Sequence, residues 1–390
     1  MSSILTLNGG SSSLKFALFE DGEPVKRLYS GQVERIGSSS STLRLVDHRT
    51  NSKEETPLEA TNHGAVIAPL LDRLKAKTSL DDLVGVGHRI VHGGERYRQP
   101  SWISDALLNY LQRITPYDPE HLPSEIAIIR AIQQQFPKLR QAACFDTAFH
   151  GDMPIVARLL PIPRRYFRQG VQRYGFHGLS YTYLMSELQR ISPDEASGRV
   201  ILAHLGNGAS MAAVRDGKSI DTSMAFTPTA GLVMGTRTGD IDPGAAVYLA
   251  RTENMSPQQF YQMANFESGM LGVSEASADM RDLLGRELAD TQAAEAVSLF
   301  CYSARKMIGA YAAALSGLDT LVFAGGIGEN SAAVRARICE GLEFLGIRLD
   351  SEQNDANADN ISSAESRVHV RVIHTDEELQ IAQTVKELLG

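Results

Sequence analysis

The chain has 390 residues, 43% of them hydrophobic and 22% charged, with a net charge of −8 at pH 7. This length suits two cores better than one, and the balance of apolar and charged residues excludes a disordered or fibrous chain. The acidic balance excludes general binding to nucleic acid or to an anionic membrane, so an anionic ligand would need a local cluster of Arg, Lys, His or metal.

The chain opens on "ILTLNGGSSSLKFALFE" (residues 4–20): an apolar strand, a small-residue turn, and a second strand with Leu14, Phe16 and Leu18 alternating. No basic segment precedes the apolar run, which breaks at Asn8, so no signal peptide is expected. The turn is not a Walker-type loop, because GxxxxGK(S/T) occurs nowhere. It is not a dinucleotide fingerprint either, because a strand and not a helix follows. Alone it reads as a β-hairpin turn. "LVGVGHRIVHGG" (83–94) reads as a strand entering a loop, 104–114 and 123–136 have helical spacing, and "QAACFDTAFH" (141–150) is strand then loop. A helix is expected over 180–191 with Ser180 as its N-cap. A long helix over 295–315 leads into the strand "TLVFAGG" (320–326). Residues 307–328 carry a single charge, but Ser-Gly-Leu-Asp divides them into pieces too short to cross a bilayer. The polar run 351–366 reads as a solvated excursion, followed by the strand "VHVRVI". The last helix, with a Thr375/Glu378 capping box, places Leu379, Ala382, Val385 and Leu389 on one face. Cys144, Cys301 and Cys339 are widely spaced in apolar contexts, which predicts buried free thiols in a reducing cytosol.

Residues 200–217, "VILAHLGNGASMAAVRDG", repeat the pattern of 4–22. Ile201 and Leu202 fall under Ile4 and Leu5, Gly206 under Gly9, Ser210 under Ser13, and both copies end in Asp-Gly. Hairpins share chemistry and can match by chance. The spacing of half a chain favours a duplicated domain, each copy offering a glycine/serine turn to a shared cleft.

Several segments could carry chemistry. His88 and His92 are four apart, but on a strand that separation is about 13 Å, too far for one zinc ion. Arg89 between them can reach into a cleft or make a surface ion pair. Asp146 stands just past an apolar strand, where α/β proteins place functional carboxylates, and a turn-capping role also accounts for it. His177, between an aromatic residue and a glycine, is a structural histidine or a loop-borne phosphate ligand. Residues 221–244 form a long non-periodic loop holding Arg237 within Gly-Thr-Arg-Thr-Gly. "FAGGIGENS" (323–331) follows a strand and opens a helix, which suits a nucleotide phosphate or a plain connecting loop. Glu377 sits at a helix start and has no part in the capping box.

Taken in order, "GGSSSLK", "GHRIVHGGE", "FDTAFH", "RYGFHG", "HLGNGAS", "GLVMGTRTGDIDP", "GGIGENS" and "TDEEL" resemble the acetate kinase family over nearly the whole chain, from Ile4 to about Ala382. The resemblance implies an α/β fold of two ribonuclease H-like, actin-like ATPase domains with an active-site cleft between them, spanning 1–147 plus 376–390 and 148–375. It also implies a cytoplasmic homodimer that uses ATP/ADP with Mg2+ or Mn2+ to phosphorylate acetate reversibly. Asn8, Ser11, Ser13 and Lys15 would face the polyphosphate and metal, with Asn8 and Glu377 as metal residues and Asp146 helping to position the ion. Arg89 and Arg237 would bracket the acyl group and the migrating phosphoryl, which His177 would stabilise. Val91, Phe176 and Pro228 would form an apolar wall for a methyl group. His204, Leu205, Gly206, Asn207 and Gly208 would line the second phosphate turn. Asp279, Met280, Arg281, Gly326, Ile327, Gly328, Glu329 and Asn330 would hold the adenosine.

These roles suit the chemistry. A carboxylate acceptor is already anionic, so the reaction needs positioning and positive charge, not a general base. Two departures stand out. The family usually carries A-P-L-H-N-P where this chain has "TPYDPEHLP" (115–123), so Tyr117 and Asp118 replace Leu and His in a loop that borders the acyl pocket in the family. Ala225 stands where glycine is common. The acid preferred is therefore open between acetate and a longer or substituted acid. A non-catalytic actin-like nucleotide-binding module is the remaining alternative.

Overall fold

The computed structural model describes every residue except Met1, Ser11 and Ser39. The chain divides into two compact units, Met1–Gly151 with Asp376–Gly390, and Asp152–Thr375. Each is mixed α/β with one mixed sheet.

The first unit contains β1 (Ser3–Gly9), β2 (Leu14–Glu20), β3 (Lys26–Glu34), β4 (Thr42–Asp47), β5 (Ser52–Pro57), β6 (Leu83–Ile90), β7 (Ser101–Trp102) and β8 (Gln141–Phe145), in the order β5-β4-β3-β2-β1-β6-β8-β7. β1 and β2 form the predicted hairpin, with Gly9 opposite Leu14 and Asn8 opposite Lys15. β1 runs parallel to β6, and β6 parallel to β8. Every residue of β1 is buried, as a central strand covered on both faces requires. Helices His63–Lys75 and Leu122–Gln135 contribute Val66, Ile67, Leu70, Ile128 and Ile132 to one core. Helix Asp105–Ile114 starts at Ser104, whose hydroxyl accepts from Leu107 N, as the spacing predicts.

Helix Glu377–Leu389 returns to the first unit and packs Ala382 and Val385 against Ile4, Ala17 and Phe19. Two strand glycines make room for it. A Cβ at Gly85 would lie 2.8 Å from Val385 Cγ1, and one at Gly87 would strike Ile381 and Val385. The helix does not begin with a Thr375/Glu378 capping box. Asp376 is the N-cap and accepts from Leu379 N, while the Thr375 and Glu378 side chains bond elsewhere.

The second unit contains β9 (Arg199–Leu205), β10 (Ala209–Arg215), β11 (Lys218–Thr222), β12 (Thr320–Ala324) and β13 (His369–Val372), in the order β11-β10-β9-β12-β13. β9, β10 and β11 are joined antiparallel, and β9, β12 and β13 run parallel. The run β3-β2-β1-β6-β8 of the first unit has the same order and directions, so the repeat read from 4–22 and 200–217 is a repeat of topology. Its register shifts at the turn: Gly9 still pairs with Leu14, whereas Gly206 lies in the 206–208 turn after Leu205 pairs with Ala209. The Asp-Gly ends also differ. Asp216 and Gly217 take left-handed backbones in a two-residue hairpin, but residues 21–25 make a longer loop.

Two further expectations are corrected. The helix after "RYGFHG" spans Gly178–Ile191, and its N-cap is His177 in the left-handed region, not Ser180. Ser180 is fully buried and turns its hydroxyl sideways to His204 and Thr375. The polar run 351–366 is not simply solvated. It begins as a helix, Ser351–Asp355, and buries Asn354 and Ile361. The cysteines are free and buried, and among the described residues no helix is long and apolar enough to cross a membrane.

Candidate functional site

In the first unit the C-terminal ends of three neighbouring strands, β1, β6 and β8, deliver Asn8, Arg89 and Asp146. Asp146 is completely buried, and Arg89 grips it with Nε at 3.2 and 3.1 Å from the two carboxylate oxygens and Nη2 at 2.6 Å from Oδ2. Arg89 Nη1 donates to the Gly9 carbonyl at 3.0 Å, tying the pair to the first turn. The pair is therefore a buried, bidentate one, neither a surface ion pair nor a turn cap. Asn8 Nδ2 donates to Glu377 Oε2 at 2.9 Å and to Glu378 Oε1 at 3.2 Å. Glu125, also buried, accepts the Val91 amide on both carboxylate oxygens at 3.1 Å. Lys15 is exposed, and the Ser13 carbonyl closes the turn by accepting from Gly10 N. Ser11 lies outside the described residues.

Charge in this group is unbalanced. Burial works against the Arg89 cation, but Asp146, Glu377 and Glu125 outweigh it and hold its pKa above the usual value. Burial, helped by Glu377, pushes the Asp146 carboxyl up in spite of Arg89. Burial and then Glu377 likewise raise Glu378 against the pull of Lys15, and burial raises Glu125. A divalent cation would relieve this excess, so the residues fit such an ion in charge. Among the described residues no three His, Cys, Asp or Glu side chains group as a metal cage. A site here would use one or two carboxylates and water, which suits magnesium. Asn8 turns its amide nitrogen toward Glu377, so in this arrangement it orients the carboxylate and does not itself ligate through that atom.

The histidines of "HRIVH" are not ligands. His88 Nε2 lies 2.7 Å from Gln141 Oε1 and His92 Nδ1 accepts from Gly94 N at 2.8 Å; burial lowers the pKa of each to about 4. Tyr117 meets the His92 ring edge-on at 5.4 Å. Asp118 does not add an exposed charge to its loop. It is buried and accepts from His121 Nδ1 at 2.8 Å and His121 N at 3.1 Å. Burial alone would raise the Asp118 carboxyl, but these bonds hold it below its usual value.

In the second unit the 206–208 turn is the meeting point. A Cβ added to Gly208 would stand 3.5 Å from His177 Nε2 and 3.6 Å from Arg237 Nη1, so both side chains end against the same backbone. His177 holds a left-handed backbone (φ 59°), a strain of about 1 kcal/mol, which aims the ring off the helix start. Its Nδ1 lies 2.9 Å from Ser210 Oγ, and its ring stacks on His204 at 4.4 Å. Arg237 Nη1 donates to the Pro228 carbonyl at 3.1 Å, and Phe176 is buried beside this loop's chain partner Tyr174, whose amide donates to Ala225 O. The long loop is pinned internally by Asp240, which accepts from Gly231 N, and is tied to the 206–208 turn by Gly235 N, which donates to Asn207 O.

Beside this turn is a cavity of about 950 Å³ lined by Gly206, Asn207, Ala278, Asp279, Met280, Arg281, Leu284, Gly326, Ile327, Asn330 and Ser331. Eight of the residues expected to hold the nucleotide line it, Asn207 among them, with three that the sequence does not single out. Leu284 stands one helical turn beyond Met280 and Arg281, Ser331 is the last letter of the GENS motif, and Ala278 carries no signal. Leu205 and Gly328 are buried beneath the wall, and His204 is turned to Ser180. Asp279 caps the Met280–Arg286 helix and pairs with Arg281 at 2.7 Å, which lowers its carboxyl to about 2. The Gly325 amide is not presented to a phosphate, because Glu329 Oε1 accepts from it at 2.8 Å. Arg335 is fully buried beneath this turn and donates to neutral acceptors: the Gly328, Glu329 and Asn354 carbonyls and the Asn354 and Asn357 amide oxygens.

The acetokinase family sequence model matches residues 3–383. An acetate kinase of Methylocella silvestris is 43% identical, the match covering 99% of this chain and 98% of that enzyme. A propionate kinase of Citrobacter rodentium is 41% identical, with 99% and 96% covered. The crystal structure of Porphyromonas gingivalis acetate kinase superposes with a TM-score of 0.92 at 37% identity, covering all of both chains. With a family match along almost its whole length and relatives well above 30% identity, this chain belongs to the acetokinase family.

Proposed function

We propose that the protein transfers the γ-phosphoryl group of ATP to a short-chain carboxylate, acetate first, giving an acyl phosphate and ADP by direct in-line transfer, and that it runs the reverse reaction. The observation that carries the proposal is the family match over residues 3–383, which takes in every motif named above. Arg89 and Arg237 would neutralise the acid and the migrating group, and His177, oriented by Ser210, would donate a hydrogen bond to that group. The strained His177 backbone and the bidentate Arg89–Asp146 pair keep these groups fixed before substrate arrives. Phe176, Val91 and Pro228 would take the methyl group. Magnesium, or manganese, would be held through Glu377, with Asp146 near by, and would supply neutralisation of the polyphosphate charge. The cavity beside the 206–208 turn would take the nucleoside.

A second reading, propionate as the preferred acid, is favoured by relatives named propionate kinase at 41% identity. ATP and magnesium with acetate, propionate or butyrate, in the presence of hydroxylamine, should yield the corresponding hydroxamate. Ranking kcat/KM over the three acids separates the two readings. Folded protein that gives no hydroxamate with any of them would refute both.

A further inference from the structure

The side chain of Glu329 faces away from the cavity. Its Oε1 accepts two backbone amides that lie 50 residues apart in the chain, Gly325 N at 2.8 Å and Thr375 N at 3.0 Å, and its Oε2 lies 2.8 Å from His374 Nδ1. The carboxylate is nearly buried, 12% exposed, so these bonds are little weakened by solvent. The Gly325–Asn330 helix has no side-chain bond from its N-cap Ala324, and Glu329 fills that role from one turn ahead. Arg335 fixes the backbone of Glu329 itself by donating to the Gly328 and Glu329 carbonyls at 2.8 and 3.1 Å.

Thr375 is the far end of a second chain of bonds. Its hydroxyl lies 2.7 Å from Ser180 Oγ, which lies 2.8 Å from His204 Nδ1, and the His204 ring stacks on His177. Two residues beyond Thr375 in the sequence is Glu377. From this we infer that Glu329 is a positioning residue: one carboxylate oxygen locks the 325–330 turn that lines the nucleotide cavity to the Thr375 backbone that leads into Glu377. A residue that contacted the nucleotide would point into the cavity, and a simple helix cap would have no reason to hold Thr375. The inference rests on the proposed function only for the metal role of Glu377.

The test uses the full chain, without nucleotide or metal, and reads amide hydrogen exchange at Gly325 and Thr375. Glu329→Ala removes both acceptors, and exchange should rise about tenfold or more at both amides together. Glu329→Gln keeps a carbonyl oxygen for both, and should return them to within about threefold of the parent. Glu329→Asp, one methylene shorter, cannot span the two amides and serves if the alanine variant fails to fold. Exchange that rises at Gly325 alone would reduce Glu329 to a helix cap and overturn the inference. In a second arm, at saturating ATP, Glu329→Ala should raise the magnesium concentration for half-maximal rate about tenfold, with KM for the acid held, and Glu329→Gln should restore it. A change confined to KM for ATP would make Glu329 a nucleotide contact and refute the positioning role. If the parent protein transfers no phosphoryl group, the proposed function fails while the exchange arm still decides the link.

Discussion

His88 sits on β6 immediately before Arg89, is 2% exposed, and donates a hydrogen bond from Nε2 to Gln141 Oε1. Burial lowers its pKa from 6.5 to about 4. The unfolded chain therefore takes up a proton that the folded chain refuses, and stability is lost as pH falls from about 6.5 towards about 4. Between pH 7.5 and pH 5 this one group should cost about 2 kcal/mol, from the ratio of protonated populations in the two states. His88→Gln places an amide nitrogen where Nε2 stands and removes the titration. Urea unfolding at the two pH values, followed by fluorescence of Trp102, the chain's one tryptophan, reports the first unit. The parent should lose about 2 kcal/mol more than the variant over that interval, whatever the variant's stability at pH 7.5. Equal losses in the two proteins would show that His88 is protonated in the folded state and refute the reasoning.

Four other outcomes are expected. Arg237→Ala should lower kcat for hydroxamate formation about 100-fold or more with the circular dichroism spectrum unchanged, as the loss of one charge-stabilising donor does. Gly208→Ala meets no clash, yet its methyl would occupy the space beside His177 Nε2 and Arg237 Nη1; a folded protein with turnover reduced about tenfold is expected, and full activity would show that no reacting group passes there. Arg335→Met strips a buried hydrogen-bond centre and should destabilise the second unit by about 3 kcal/mol, read by calorimetry as a lowered transition with Trp102 fluorescence unaffected. Asp146, Glu125 and Glu378 have raised pKa values, so the folded chain is relieved by protonation at low pH and burdened as pH rises through those values. Magnesium should therefore raise Tm more at pH 7.5 than at pH 5, and Glu377→Gln should remove most of that gain.

Legibility followed the physics of each element. The β1–β2 hairpin and β6 could be read because apolar runs end abruptly at Gly-Gly-Ser and His-Gly-Gly. β5, "SKEETP", is an exposed edge strand with no apolar pattern, and Pro69 masks the helix His63–Lys75, so neither was predicted. The helix starts fall at His177 and Asp376, and not at Ser180 and Thr375, because a cap is defined by the residue that leaves the helical backbone. Near both sites several residues match the composition, and nothing in a sequence announces a left-handed histidine. At the site, strand-end position pointed to Arg89 and Asp146 one at a time. Their mutual grip depends on β6 and β8 being neighbours, which the local pattern does not contain. The motif alone puts Glu329 among the nucleotide contacts, because a motif records which residue is present and not which way it turns.

The return of helix Glu377–Leu389 to the sheet that holds β1 has a consequence for biosynthesis. Residues 152–375 form an uninterrupted stretch and can collapse while the ribosome is still at work. The N-terminal sheet, although made first, must wait with the hydrophobic faces of Ile4, Ala17 and Phe19 uncovered until the final helix emerges. Deleting the codons for that helix should therefore leave a nascent chain whose earlier half recruits chaperones while its later half is native.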